Sequence, residues 1–302
     1  MTAQRPTLGG QTWDEIATQP QSWERAQAQA DGELSGYPAD GERVLIMGCG
    51  TSYYAAIAWA WIREQAGHGV TDAVIASEFT SPTRQYDRVI AISRSGTSVD
   101  LVEALERLDS AVPLTAVLGD LDTPIGVRAT DIIDLSYADE TSVVQTRFPT
   151  TLLALVRARH GESASARAAL IAAGQASVEA GADEEMPHQL VVLGNGYAAA
   201  LAQEAALKCR ESAGMWAEAY ATGEYRHGPI SVAGPGTLVW GVTPIPSIVV
   251  DAIEATGAKV RQPVSDALAE LVTLQFHAVA WASSVGRDAN LPVHLSRSVM
   301  TI

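Results

Sequence analysis

The stretch Arg43-Val44-Leu45-Ile46-Met47-Gly48-Cys49-Gly50-Thr51-Ser52, followed by the Ala- and Trp-rich run Tyr53–Gln65, decides the fold. A short apolar run, a Gly-x-Gly turn and a helix-like segment read as strand, tight turn and helix. The rhythm continues outward. Ala73–Ile75 reads as a strand with a turn at Ser77-Glu78, and Arg88–Ile92 as another strand. Ser93-Arg94-Ser95-Gly96-Thr97-Ser98 is then a loop opening a helix over 99–107, and strands follow at Leu114–Leu118 and Asp131–Leu135. Such alternation predicts an α/β fold with mostly parallel sheets flanked by helices in three αβα layers. Upstream, Thr12 and Glu15 have capping-box spacing for an opening helix, which Gln19-Pro20 should break. Downstream, 142–159 and 163–180 read as helices.

Past the acidic stretch 181–185 and Pro187 the pattern restarts: Gln189–Leu193 as a strand, Gly194-Asn195-Gly196 as a turn, Tyr197–Glu211 as a helix. The two Gly-x-Gly turns lie 146 residues apart (48 to 194). A second echo pairs Ser77-Glu78-Phe79 with Ala217-Glu218-Ala219-Tyr220 at an offset of 140 (78 to 218). Similar offsets suggest an internal repeat.

The 302 residues, 31.8 kDa, suit about two domains of ordinary size. With 35 acidic and 20 basic residues the net charge is −15 and the pI near 4.7, which speaks against nucleic acid or an anionic membrane surface as partner. Only Lys208 and Lys259 are lysines, so chemistry requiring an amine has two candidates. Cys49 and Cys209 sit in apolar surroundings and read as free thiols. The N-terminal residues lack the pattern of a signal peptide, and the longest apolar run, 55–62, is far short of the roughly 20 residues of a membrane span. The expected location is a reducing cytoplasm.

Strand-Gly-x-Gly-helix makes an anion site when helix-end amides face the ligand. A dinucleotide fold is the rival, but its third glycine is replaced by Tyr53 and no acidic residue ends a second strand at the right distance. The glycines could also serve the turn alone. Loop 93–98 offers four hydroxyls in six residues, and Thr51-Ser52 should lie beside it at the same sheet edge. That combination favours a phosphate cradle over an ordinary capping cluster.

Glu204, Lys208 and Glu211 share one helix face, either as an exposed ion-pair ladder or as a base with a lysine tuning its ionisation. His227 lies in the turn Tyr225-Arg226-His227-Gly228-Pro229; the histidines at 68, 160, 188, 277 and 294 show no metal spacing, and neither a metal nor a cofactor is expected.

Together these segments resemble the tandem form of the sugar isomerase (SIS) family: the isomerase half of glucosamine-6-phosphate synthase and related amino-sugar-phosphate deaminases and deglycases. The resemblance rests on Glu15-Ile16-x-x-Gln19-Pro20, Cys49-Gly50-Thr51-Ser52, Ser77-Glu78-Phe79, Ser93–Asp100, Glu204–Glu211 and Ala217–Pro229. It implies a helical arm over 1–30 and two SIS domains over 31–181 and 182–302. It further implies that Thr51, Ser52, Ser93, Arg94 (through its backbone), Ser95 and Ser98 hold a sugar phosphate. Glu211 would be the proton-moving base, His227 the ring-opening group delivered by the neighbouring subunit of a homodimer with composite sites, and Glu204 and Lys208 would line the site.

Two departures stand out. No glutamine amidotransferase domain is expected ahead of the first SIS domain, which points away from glutamine-dependent synthesis. The lysine that the synthase uses for an imine is Arg297 here, and Gln145 stands where a small residue is usual; both are expected to line the sugar pocket. A guanidinium stays protonated and forms no imine. The expectation is breakdown of a phosphorylated amino sugar, with aldose–ketose phosphate isomerisation, or sugar-phosphate binding by a non-catalytic regulator, as alternatives.

Overall fold

A computed structural model describes residues 5–298. In chain order the regular elements begin with helices α1 (Gly10–Ala17) and α2 (Gln19–Ala30). Then come β1 (Val44–Gly48), α3 (Thr51–Gln65), β2 (Thr71–Ile75), β3 (Arg88–Ser93), α4 (Val99–Glu106), β4 (Leu114–Leu118), α5 (Pro124–Arg128) and β5 (Asp131–Asp134). Helices α6 (Arg147–Arg159) and α7 (Ala164–Ala180) lead to β6 (Gln189–Gly194), α8 (Ala198–Ala213), β7 (Ala217–Ala221), β8 (Thr237–Gly241), α9 (Ser247–Glu254), β9 (Lys259–Arg261) and α10 (Ala267–Ser284).

The strands form two sheets, ordered β2-β1-β3-β4-β5 and β7-β6-β8-β9, and every pairing is parallel. Parallel sheets need both faces covered, and β1, β4 and β8 are buried at every position. In the first sheet Leu45, Met47, Val89 and Leu118 pack against Leu101, Ala104 and Leu105 of α4. In the second, Val191, Leu193 and Val239 pack against Val249 and Ile253 of α9. Each fully buried aliphatic side chain contributes about 1.5–3 kcal/mol relative to an exposed one. The α/β class with parallel sheets flanked by helices is therefore what the sequence pattern indicated.

The backbone groups into two compact units, neither continuous in sequence. One holds the second sheet: residues 168–295 with 142–146 and the stretch up to Pro20. The other holds the first sheet: 21–141, 147–167 and the stretch from Ser296 on.

Three local expectations change. Thr12 caps nothing: α1 starts at Gly10 behind the left-handed Gly9 (φ 79°), and the Thr12 hydroxyl bonds Ser142 Oγ at 3.0 Å and lies 3.0 Å from Asn290 Oδ1. The helix expected from residue 142 begins at Arg147, where the buried Glu140 carboxylate accepts the amides of Arg147 (3.0 Å) and Phe148 (3.2 Å). A side-chain acceptor at the first turn defines that start. Finally, the echo at offset 140 does not join equivalent positions. Glu78 lies in a turn after β2, whereas Glu218 lies inside β7. The strands themselves repeat at 146, with Gly48 opposite Ile75 in one sheet and Gly194 opposite Ala221 in the other.

Candidate functional site

In a sheet ordered 2-1-3-4-5 the connections from β1 and β3 leave in opposite senses, opening a crevice beyond the strand ends between them. The two hydroxyl-bearing turns of the first sheet occupy that place, because β1 pairs with β3. Gly48 permits the first turn: a Cβ there would stand 2.7 Å from the Ser52 carbonyl carbon. Gly50, at φ 52°, then turns the chain into α3 with no side-chain cap of its own. Thr51 and Ser52 are buried in the first turn of α3.

The second turn is built by its own hydroxyls. Ser93 Oγ accepts the Gly96 amide at 3.0 Å, and Ser95 Oγ lies 3.2 Å from Thr97 Oγ1. Gly96 sits at φ 63° against Thr123, so a Cβ would meet Thr123 Oγ1 at 2.1 Å. The Arg94 carbonyl accepts the amides of Gly119 (3.1 Å) and Asp120 (2.9 Å), anchoring the loop to the end of β4. Arg94 itself is buried, and its Nη2 donates to the Arg297 carbonyl at 3.1 Å. Ser98 precedes α4 without capping it; its hydroxyl lies 4.0 Å from Cys49 Sγ, which ties the two turns together. Burial pushes the Cys49 thiol above its ordinary pKa, with the Ser98 hydroxyl working the other way. The structure thus brings Thr51, Ser52, Ser93, Arg94, Ser95 and Ser98 to one sheet edge, with hydroxyls and helix-start amides suited to a phosphate.

In the other unit, the face of α8 that could have been an exposed ladder is largely closed. Glu204 and Lys208 are 3% and 1% exposed. Lys208 Nζ lies 2.5 Å from Glu211 Oε2 and 3.4 Å from Glu204 Oε1. Only Glu211 among the three retains appreciable access, with 19% of its side chain exposed. Both carboxylates reach the same ammonium, and Glu211 is the member of the trio that meets solvent. Breaking a buried ion pair of this kind by removing one partner costs about 3–5 kcal/mol.

His227 ends a 3₁₀ turn over Glu224–His227 before Gly228 (φ 135°) and is exposed. Gln145, half-buried between Val144 and Thr146, has a side-chain oxygen with no hydrogen-bond partner among the described residues. Arg297 points its Nη2 at both carboxylate oxygens of Asp139, at 2.7 and 2.5 Å. Asp139 was missed by sequence reasoning; it lies 158 residues from its partner, and no local signal announces the pairing. Among the described residues no cluster of three or more His, Cys, Asp or Glu side chains could hold a metal ion, and no helix is long and apolar enough to cross a membrane.

Known proteins share this fold. Residues 39–159 match the SIS domain. The glutamine–fructose-6-phosphate aminotransferase (isomerizing) of Aeropyrum pernix is 31% identical over 258 residues, covering 75% of this chain and 42% of the relative. The protein of that name from Caulobacter vibrioides is 29% identical over 232 residues, covering 68% and 38%. The chain therefore spans about two fifths of the length of these relatives. Among solved structures, glucosamine-6-phosphate deaminase from Thermotoga maritima superposes with a TM-score of 0.81 at 23% identity, covering 96% of this chain and 99% of that one. Tagatose-6-phosphate ketose/aldose isomerase from Escherichia coli gives 0.76 at 20% identity, covering 96% of each. These likenesses establish the shared fold.

Proposed function

We propose, from the premise that this chain is a member of the SIS domain family, that it breaks down a phosphorylated amino sugar as a deaminase or deglycase. The observation that carries the reading is the hydroxyl-lined double turn at the switch point of the first sheet. It supports recognition of a single phosphate by a protein of net charge −15, since hydroxyls and helix-end amides need few cations. The equal order of the first four strands of each sheet supports a tandem of two SIS domains, over 31–181 and 182–302, behind a helical arm.

In the proposed chemistry Thr51, Ser52, Ser93, Ser95 and Ser98, with the Arg94 main chain, hold the phosphate. His227 moves the proton that opens the sugar ring. Glu211 removes the proton next to the resulting carbonyl or imine, and the carbanion's electron pair passes into an enolamine. Tautomerisation returns the proton to carbon, and water displaces ammonia or an amine from the imine. No enzyme amine takes part. Lys208 is enclosed by Glu204 and Glu211, Lys259 is exposed at the first position of edge strand β9, and position 297 carries a guanidinium engaged with Asp139. This trait separates the reading from glutamine-dependent synthesis. Gln145, with its unpartnered oxygen, is proposed to shape the sugar pocket.

The exposed His227 fits delivery to a neighbouring subunit and hence a homodimer with composite sites. The unpaired thiols Cys49 and Cys209 fit a reducing, cytoplasmic compartment. Aldose–ketose phosphate isomerisation is the second reading, because the Glu211–Lys208 arrangement serves an enediol as readily as an enolamine. A panel of hexose and amino-sugar phosphates, assayed for ammonia release and for ketose formation, decides between them. Tight binding without turnover across that panel would instead identify a sugar-phosphate-binding regulator.

A further inference from the structure

We propose that Asp139 is a positioning residue for phosphate binding: through Arg297 it holds Ser296–Ser298 against the loop 93–98 and so fixes the shape of that loop. The proposal rests on the reading of this loop as a phosphate cradle.

Three contacts converge on one short segment. Arg297 Nη2 lies between the two oxygens of Asp139. The main-chain carbonyl of the same Arg297 accepts from Arg94 Nη2 at 3.1 Å. Thr97 Oγ1 donates to Ser298 Oγ at 2.9 Å and also contacts Ser95 Oγ at 3.2 Å. The segment folds on itself, with Ser296 Oγ donating to the Ser298 carbonyl at 2.7 Å. Gly119 allows the approach: a Cβ there would stand 2.9 Å from the Arg94 carbonyl oxygen and 3.1 Å from Asp139 Oδ1.

The Arg297–Asp139 pair is partly exposed on both sides, 40% and 29%, and an isolated pair of that kind contributes little. Its leverage comes from sharing. Ordering three residues once supports three contacts, two of which end on the loop itself. Pairing also cancels the charge of Asp139, which would otherwise repel a dianion bound at the adjoining loop. Arg94 and Thr97 are thereby held from outside the loop, and Ser95 with them.

The experiment compares the whole chain with Asp139→Asn and the conservative Asp139→Glu. Without ligand, limited trypsin treatment read by intact mass follows cleavage after Arg297. The expected result is cleavage about tenfold faster in Asp139→Asn and close to the wild-type rate in Asp139→Glu, since cleavage tracks the population of the released segment. With fructose 6-phosphate as probe, calorimetry should show affinity weakened about tenfold by Asp139→Asn and restored by Asp139→Glu. In turnover assays that loss should fall on KM, with kcat within about twofold. Unchanged cleavage and unchanged affinity in Asp139→Asn, beside normal wild-type binding, overturn the positioning role alone. Failure of the wild type to bind any sugar phosphate overturns the cradle, and the positioning role with it.

Discussion

The turn Gly48-Cys49-Gly50-Thr51-Ser52 and the turn Gly194-Asn195-Gly196-Tyr197-Ala198 are built alike and equipped differently. In each, the last strand residue is a glycine whose Cβ would strike the backbone four residues on: Ser52 at 2.7 Å, Ala198 at 2.2 Å. In each, the second glycine is left-handed, at φ 52° and 59°. Yet the first turn offers two hydroxyls and the second an alanine run. The partner loops diverge further: 93–98 is hydroxyl-rich, whereas Val242–Ser247 carries Pro244 and Pro246, which donate no amide. The following helices reverse the contrast. Positions of α8 bearing Glu204, Lys208 and Glu211 correspond, at the same offset, to Ala58, Ile62 and Gln65 of α3. On the proposed reading, similar turns carry separate tasks, anion recognition in one unit and ionisable chemistry in the other.

The sharpest way to break that division is Glu211→Gln. It should lower kcat by about 10³-fold while sugar-phosphate affinity survives, within the 10²–10⁴ that general acid–base groups supply. Retained turnover would take the base role from α8. Next in size, Ser52→Ala combined with Ser98→Ala should weaken sugar-phosphate binding by about 10²-fold or more with little effect on kcat, because hydrogen bonds to a charged group contribute about 1.5–3 kcal/mol each. An equal loss in kcat would show that the first turn does more than bind.

The shared backbone can be tested by stability alone. Gly48→Ala and Gly194→Ala should each destabilise by about 1–3 kcal/mol in denaturant titrations, as overpacking does, with Gly194→Ala the worse because its contact is closer. The smallest effect concerns pH. His160 is held down to about 4 by burial and by the His68 ring 4.7 Å away, and its Nε2 lies 3.0 Å from the Tyr37 hydroxyl. Burial likewise lowers His277 in the second-sheet unit. Unfolded histidine takes up a proton near 6.5 while folded His160 does not until about 4. Stability is therefore full above about 6.5 and is lost as pH falls toward 4. A thermal midpoint that drops by a few degrees over that window, and drops less in His160→Asn, is the expected outcome.

Much of this was legible locally. Strand, glycine turn and helix follow from apolar runs and left-handed positions, and the hydroxyl loop declares itself by composition. Distant carboxylates were not legible. Glu140 sets the start of α6 from seven residues away, and Asp139 takes Arg297 from 158 away. The opening helix misled because its capping-box residues answer to other partners: Thr12 to Ser142, and Glu15 to the Ser142 amide at 3.3 Å. The ladder on α8 reads as solvent-facing by spacing alone; only packing beside α10 reveals its burial. The echo at 140 shows how a matched glutamate can mislead where strand register does not.

The enclosed ammonium of Lys208 has one more consequence. With Lys208 and Glu204 sealed off, Glu211 is the group's single port to bulk water. On the proposed base role, a hydron lifted from substrate carbon would sit on the one member of the trio open to water, beside the Lys208 ammonium. Deuterium placed at that carbon is therefore expected to be lost in part to solvent before it reaches product.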